Sequence, residues 1–115
     1  MSYLLLIIEP TGQRHERGVE AGRAAYDDMV RYAASLQGRG VLIGMSSLKS
    51  DGVRLTTSAG EPTVVDGPFT EAKELVGGYF LLDVATREQA LALAAECPAA
   101  EWAAVEVRET GPCYD

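Results

Sequence analysis

Apolar residues fall along this chain in short blocks separated by glycine, proline and charge, and the spacing within the blocks changes from block to block. Tyr3 to Ile8 is apolar at successive positions, which predicts a strand covered on both faces, ended by Glu9, Pro10 and Gly12. The polar run TGQRHERG, Thr11 to Gly18, predicts a loop. From Val19 to Gln37 the spacing becomes three and four. Ala25, Met29, Tyr32, Ala33 and Leu36 share one helical face, Glu20, Arg23, Asp27, Asp28 and Arg31 mostly take the other, and Gly38 and Gly40 supply the stop.

Val41 to Met45 predicts a second strand, again apolar on both faces, followed by a polar loop from Ser46 to Ser50. Val53 to Thr57 and Pro62 to Val65 bracket Ser58-Ala59-Gly60-Glu61 and predict a hairpin, reversed at the Ala-Gly step. Asp66-Gly67-Pro68 is a turn: Pro68 fixes its own φ and pushes Gly67 out of the α region. Thr70 then caps a brief helix to about Val76, and Gly77 and Gly78 open a buried strand running to Val84. Thr86 and Gln89 have capping-box spacing, so a helix starts there and carries Ala90, Leu91, Leu93, Ala94 and Cys97 inward until Pro98 ends it. Ala103 to Glu109 alternates, which predicts a last strand with one wet face.

The order is strand, helix, strand, hairpin, strand, helix, strand. Two β-α-β units with a hairpin between them define an α+β fold of ferredoxin-like type, β-α-β-(β-hairpin)-β-α-β. Right-handed crossovers put both helices on one face of the sheet. Strands apolar on both faces then need a cover on the other side, and a second copy of the chain is the simplest one, so a homodimer is expected.

Composition narrows the functions. At 115 residues one domain is expected, and 47% hydrophobic with 23% charged residues is the balance of a folded globular chain. A net charge of −7 without a Lys/Arg cluster argues against a nucleic-acid partner. The run Tyr3 to Ile8 is too short to span a bilayer and lacks the flanks of a secretion signal, so no membrane association and a cytoplasmic location are expected. Cys97 and Cys113 match neither a redox pair nor a zinc site and are expected to be simple thiols. His15, the sole histidine, sits between charged residues in RHER and reads as a surface group. No metal cluster and no organic cofactor are expected. The glycines of Gly38 to Gly44 have the wrong spacing for a dinucleotide loop, and Gly44 to Leu48 lacks the last glycine of a nucleophile elbow.

Candidate chemistry concentrates in DGPFTEAKELVGGY, Asp66 to Tyr79. Asp66 either serves as a general base or ligand anchor or accepts hydrogen bonds from its own turn amides. Lys73 is its catalytic companion in the first reading. Glu71 and Glu74, three apart on the expected helix, are either ligand-binding groups or a solvated face with Lys73 between them. Phe69 either fills the core beside Ala72 and Val76 or walls a pocket, and Tyr79 closes the candidate binding set.

This stretch closely resembles the signature of the DGPF-type proteins of the YCII-related family. The resemblance implies a dimeric α+β barrel and locates the candidate site at Asp66 to Glu74. It also implies, for some members, a His-Asp dyad with the histidine on the first helix; here that helix offers Tyr26, Asp27, Asp28 and Tyr32 and no histidine. Members beside or fused to sigma factors of the extracytoplasmic-function type imply a transcription-linked role for some. Two functions are therefore expected in competition. One is a small-molecule enzyme using acid/base chemistry without an organic cofactor. The other is a non-catalytic dimeric binding or sensory module linked to sigma-factor regulation.

Overall fold

The computed structural model describes residues 2–67, 69 and 71–114. The chain runs β1 (Tyr3–Pro10), α1 (Gln13–Arg17), α2 (Val19–Gly38), β2 (Leu42–Ser47), β3 (Val53–Ser58), β4 (Glu61–Asp66), β5 (Glu74–Leu82), α3 (Arg87–Ala95), a single 3-10 turn (Pro98–Glu101) and β6 (Ala104–Glu109). Four strands form one sheet in the order β2-β5-β1-β6, and β3 and β4 form a separate ribbon. Every pairing in the larger sheet is antiparallel, as two interleaved β-α-β units require. The fold is α+β with an open sheet.

Strand alternation decides which side chains meet the helices. Tyr3, Leu5, Ile7 and Glu9 are buried, while Leu4, Leu6 and Ile8 between them are half-buried. Leu5 lies opposite Phe80 and Tyr3 opposite Leu82, and these join Tyr32 and Leu36 of α2 with Ala90, Leu93 and Ala94 of α3 in one core. Tyr32 ties the two helices together. Its ring meets Phe80 edge-on at 5.2 Å between centroids, and its hydroxyl donates to the Leu93 carbonyl at 2.6 Å. The opposite face of the sheet carries Leu4, Leu6, Ile8 and Leu81 with no helix over them among the described residues.

The capping box forms as the sequence predicts: the Gln89 amide donates to Thr86 Oγ1, and Gln89 Oε1 accepts from the Thr86 amide. Ala59 and Gly60 both take positive φ, 51° and 82°, which gives the reversal of the β3–β4 hairpin the twist its strands need.

Two expectations fail. Among the described residues no helix lies between Asp66 and β5. Thr70 itself lies outside the described residues, but Glu71 to Lys73 is irregular and Glu74 already belongs to β5, four residues before Gly78. Leu75 and Val76 pair with Glu9 and Ile8, so ladder hydrogen bonds to β1 outweigh a spacing of four that a short segment shares with chance. The expected loop from Thr11 to Gly18 contains α1, which has no buried residue. It is held by contacts beyond itself, Gln13 Nε2 donating to the Trp102 carbonyl at 2.6 Å and the Arg17 guanidinium standing 5.4 Å from the Trp102 ring, and within the helix Arg17 donates to Gln13 Oε1 at 2.9 Å. No helix among the described residues is long and apolar enough to cross a membrane.

Candidate functional site

The best-formed cavity, about 720 Å³, opens between α1, the first half of α2 and the ends of β2 and β5. Its apolar walls include Ile7, Met29, Met45 and Phe80. At its base lies Glu9, which is only 4% exposed. The burial follows from β1: Glu9 is two residues beyond Ile7 and therefore points to the helix face with the core residues.

Arg14 on α1 meets this carboxylate. Its Nε is 2.6 Å from Glu9 Oε1, Nη1 donates to the Leu48 carbonyl at 2.7 Å, and Nη2 donates to the Gly77 carbonyl at 3.2 Å. The Nε–H is not directed at Oε1, which has no aligned hydrogen-bond donor among the described residues. The contact between the two side chains is thus one of charge, and the oxygen keeps acceptor capacity.

Gly77 makes room for the pair. It is the extra residue of a bulge in β5, since Ile7 faces Gly78 and Ile8 faces Val76. A Cβ at position 77 would sit 2.7 Å from Glu9 Oε2 and 2.9 Å from Arg14 Nη2, so a larger residue there would have to displace the ends of the two charged side chains. At Gly78 a Cβ would come within 2.9 Å of the Ser46 carbonyl.

The residues singled out in the sequence are distributed elsewhere. Asp66 ends the exposed strand β4, and Lys73 is exposed and in no ion pair among the described residues. Glu71 pairs with Arg54 at 3.4 Å, and the same guanidinium stands 3.7 Å above the Phe69 ring. Phe69 and Glu74 line a smaller second cavity of about 420 Å³ with Arg54, Glu106, Ile8 and Thr11. Because Glu74 is in a strand, the expected helical pairing of Glu71 with Glu74 does not exist. Tyr79 lines the first cavity, away from the other five. Of the polar groups on the first long helix, Tyr26 reaches that cavity, whereas Tyr32 is spent on Leu93 and Asp28 on Arg31.

His15 is exposed as expected, yet it lines the mouth of the first cavity. Cys97 and Cys113 are both free. Cys97 is a core thiol, 4.0 Å from Met29 Sδ, and burial pushes its pKa up, away from nucleophile chemistry. Glu9 and Arg14 were missed by sequence reasoning. The signal for Glu9 was its even spacing from Tyr3, Leu5 and Ile7; Arg14 had none, because its position depends on Trp102, far along the chain.

A small α+β domain with a cleft between its helices and its sheet, floored by a buried carboxylate, is the class these features define. The chain belongs to the YCII-related family: the model of the YCII-related domain matches residues 1–112. A stretch of 37 residues is also 51% identical to an uncharacterized protein of Rhizobium meliloti (strain 1021), which spans 32% of this chain and 30% of that protein.

Proposed function

We propose that this chain is a small-molecule enzyme that carries out acid/base chemistry without an organic cofactor in the cleft beneath α1 and α2. Glu9 is its proton acceptor and Arg14 steadies the negative charge. The observation that carries this reading is a carboxylate only 4% exposed, lining a cavity of about 720 Å³, with one oxygen lacking an aligned donor. A buried carboxylate oxygen that has a cation beside it but keeps acceptor capacity can take a proton from a ligand O–H or acidic C–H. The test is solvent exchange. A small-molecule panel in D2O, followed by NMR, will give a compound whose C–H exchanges with wild type, and Glu9→Gln will slow that exchange by roughly a hundredfold. Equal exchange by both proteins removes Glu9 from the chemistry.

The binding or sensory reading has its own support. Arg14 is pinned to two carbonyls as well as to Glu9, an arrangement better suited to holding a ligand than to moving a proton. Tight binding without exchange or turnover decides for it, and a link to sigma-factor regulation becomes the question to pursue. Asp66 and Lys73, with Glu71, Glu74 and Phe69, form the rival placement of the ligand, supported by the second cavity at Phe69 and Glu74.

The reading also takes the chain to be a cytoplasmic homodimer. The row Leu4, Leu6, Ile8 and Leu81, which has no helix over it among the described residues, supports the dimer, in which two open sheets close face to face into a barrel. Free Cys97 and Cys113 suit a reducing compartment. Light scattering at micromolar concentration should give twice the chain mass, and Leu6→Lys should halve it; a monomeric wild type removes the dimer.

A further inference from the structure

We infer that the first cleft takes an organic acid, an apolar body on Met29, Met45 and Phe80 with its carboxylate at the rim formed by His15, Arg17 and Lys49. The inference rests on the small-molecule reading above and names the ligand class for that same site. Sign of charge carries it. The chain has 17 acidic residues and 10 Lys and Arg, so a surface sampled at random would be lined mostly by acids. The cleft is the reverse: Glu9 is its one carboxylate among the described residues, whereas Arg14, Arg17 and Lys49 line it together with His15.

Glu9 and Arg14 offset each other at 2.6 Å, which leaves Arg17 and Lys49 as net positive charge. Neither is in an ion pair among the described residues. Arg17 is held in place by Gln13 and the face of Trp102, so part of the rim is ordered before a ligand arrives. Because the whole chain carries −7, a distant anion is repelled and only this local field, within about a Debye length of 10 Å, attracts it. The second cavity serves as a control within the same molecule. Its charged lining is Arg54 with Glu74 and Glu106, a net negative set that an anion has no reason to enter.

Three probes with one body and different heads test the assignment: 4-phenylbutyrate, 4-phenylbutanol and 4-phenylbutylamine, titrated against the isotope-labelled full chain by amide NMR. The amides of Gly77 and Gly78 report the first cleft and that of Ala72 the second. The acid should bind the first cleft roughly tenfold more tightly than the amine, with the alcohol between them. Lys49→Glu, an exposed change that leaves the core untouched, should bring acid and amine to within roughly twofold of each other. An amine that binds as tightly as the acid, or a preference that survives Lys49→Glu unchanged, overturns the organic-acid assignment while leaving a small-molecule cleft in place. If all three probes leave Gly77 and Gly78 unshifted, both the assignment and the reading beneath it fall.

Discussion

The cleft under α1 and the β3–β4 arm stand at opposite ends of a scale of constraint. In the cleft, one guanidinium touches a buried carboxylate and two backbone carbonyls, above a glycine where a methyl group would displace both charged side chains. On the arm, all residues of both strands are exposed, and the charged contact at its base is a pair at 3.4 Å between exposed side chains. The segment Asp66 to Tyr79 runs from one region into the other. Asp66, Glu71, Lys73 and Glu74 along it are exposed, while Gly77 and Gly78 near its end line the cleft. A charged cluster in a sequence marks where side chains are free to be polar. A glycine pair marks where something else must come close.

The largest test of this contrast is a matched pair of substitutions. Gly77→Ala should lower unfolding free energy by about 3 kcal/mol, because the new methyl group collides with Glu9 and Arg14, neither of which can withdraw without losing its partner. Gly67→Ala meets the Gly52 carbonyl at a similar 2.7 Å, yet should cost about 1 kcal/mol or less, because only the arm has to loosen. Denaturant titrations of the two variants measure both. Equal losses would mean that the arm and the sheet unfold as one unit and would end the contrast.

Tyr32→Phe comes next. Leaving the Leu93 carbonyl without its donor in the core should cost about 1.5 kcal/mol at neutral pH. Burial raises the Tyr32 pKa above its ordinary value of 10.0, so the folded state resists ionising it. The sign follows: the neutral phenol's contribution is complete below pH 10, the unfolded value, and is lost as pH rises beyond it. Wild type should therefore lose stability between pH 10 and 11 more steeply than Tyr32→Phe, and parallel melting curves would reject the assignment.

The smallest expected effects belong to the arm's base. Asp66→Asn and Lys73→Met should each change stability by less than about 1 kcal/mol, since both side chains are exposed. Ligand binding is the sharper measurement. Weakened binding in these two variants with unchanged binding in Glu9→Gln would move the site to the Asp66 turn.

Sequence pattern was sufficient where neighbours along the chain decide the outcome. Thr86 and Gln89 cap each other three residues apart, the α2 face from Met29 to Leu36 follows its own spacing, and Ala59-Gly60 turns its own hairpin. These elements gave the order of strands and helices along the chain, and with it the α+β fold. Pattern failed where a distant residue decides. The α1 helix exists because Gln13 finds the carbonyl of Trp102, and Glu74 to Val76 is extended because β1 is there to pair with it. Glu9 was half legible: the alternation that buries it is present from Tyr3 onward, but an unbroken apolar run through Ile8 hides the period.

The hairpin's ends have a further consequence. The Gly67 amide donates to the Gly52 carbonyl at 2.7 Å, so the chain leaves for the arm and returns from it at a single point. Whatever is strung between those two glycines is, for the sheet, an insert whose length can drift with little cost, since closing a longer loop adds only about 0.6 kcal/mol per doubling. Evolution and protein engineering can therefore treat residues 53–66 as a replaceable cassette, lengthened, trimmed or exchanged for another module, while the cleft on the far side of the sheet keeps its shape.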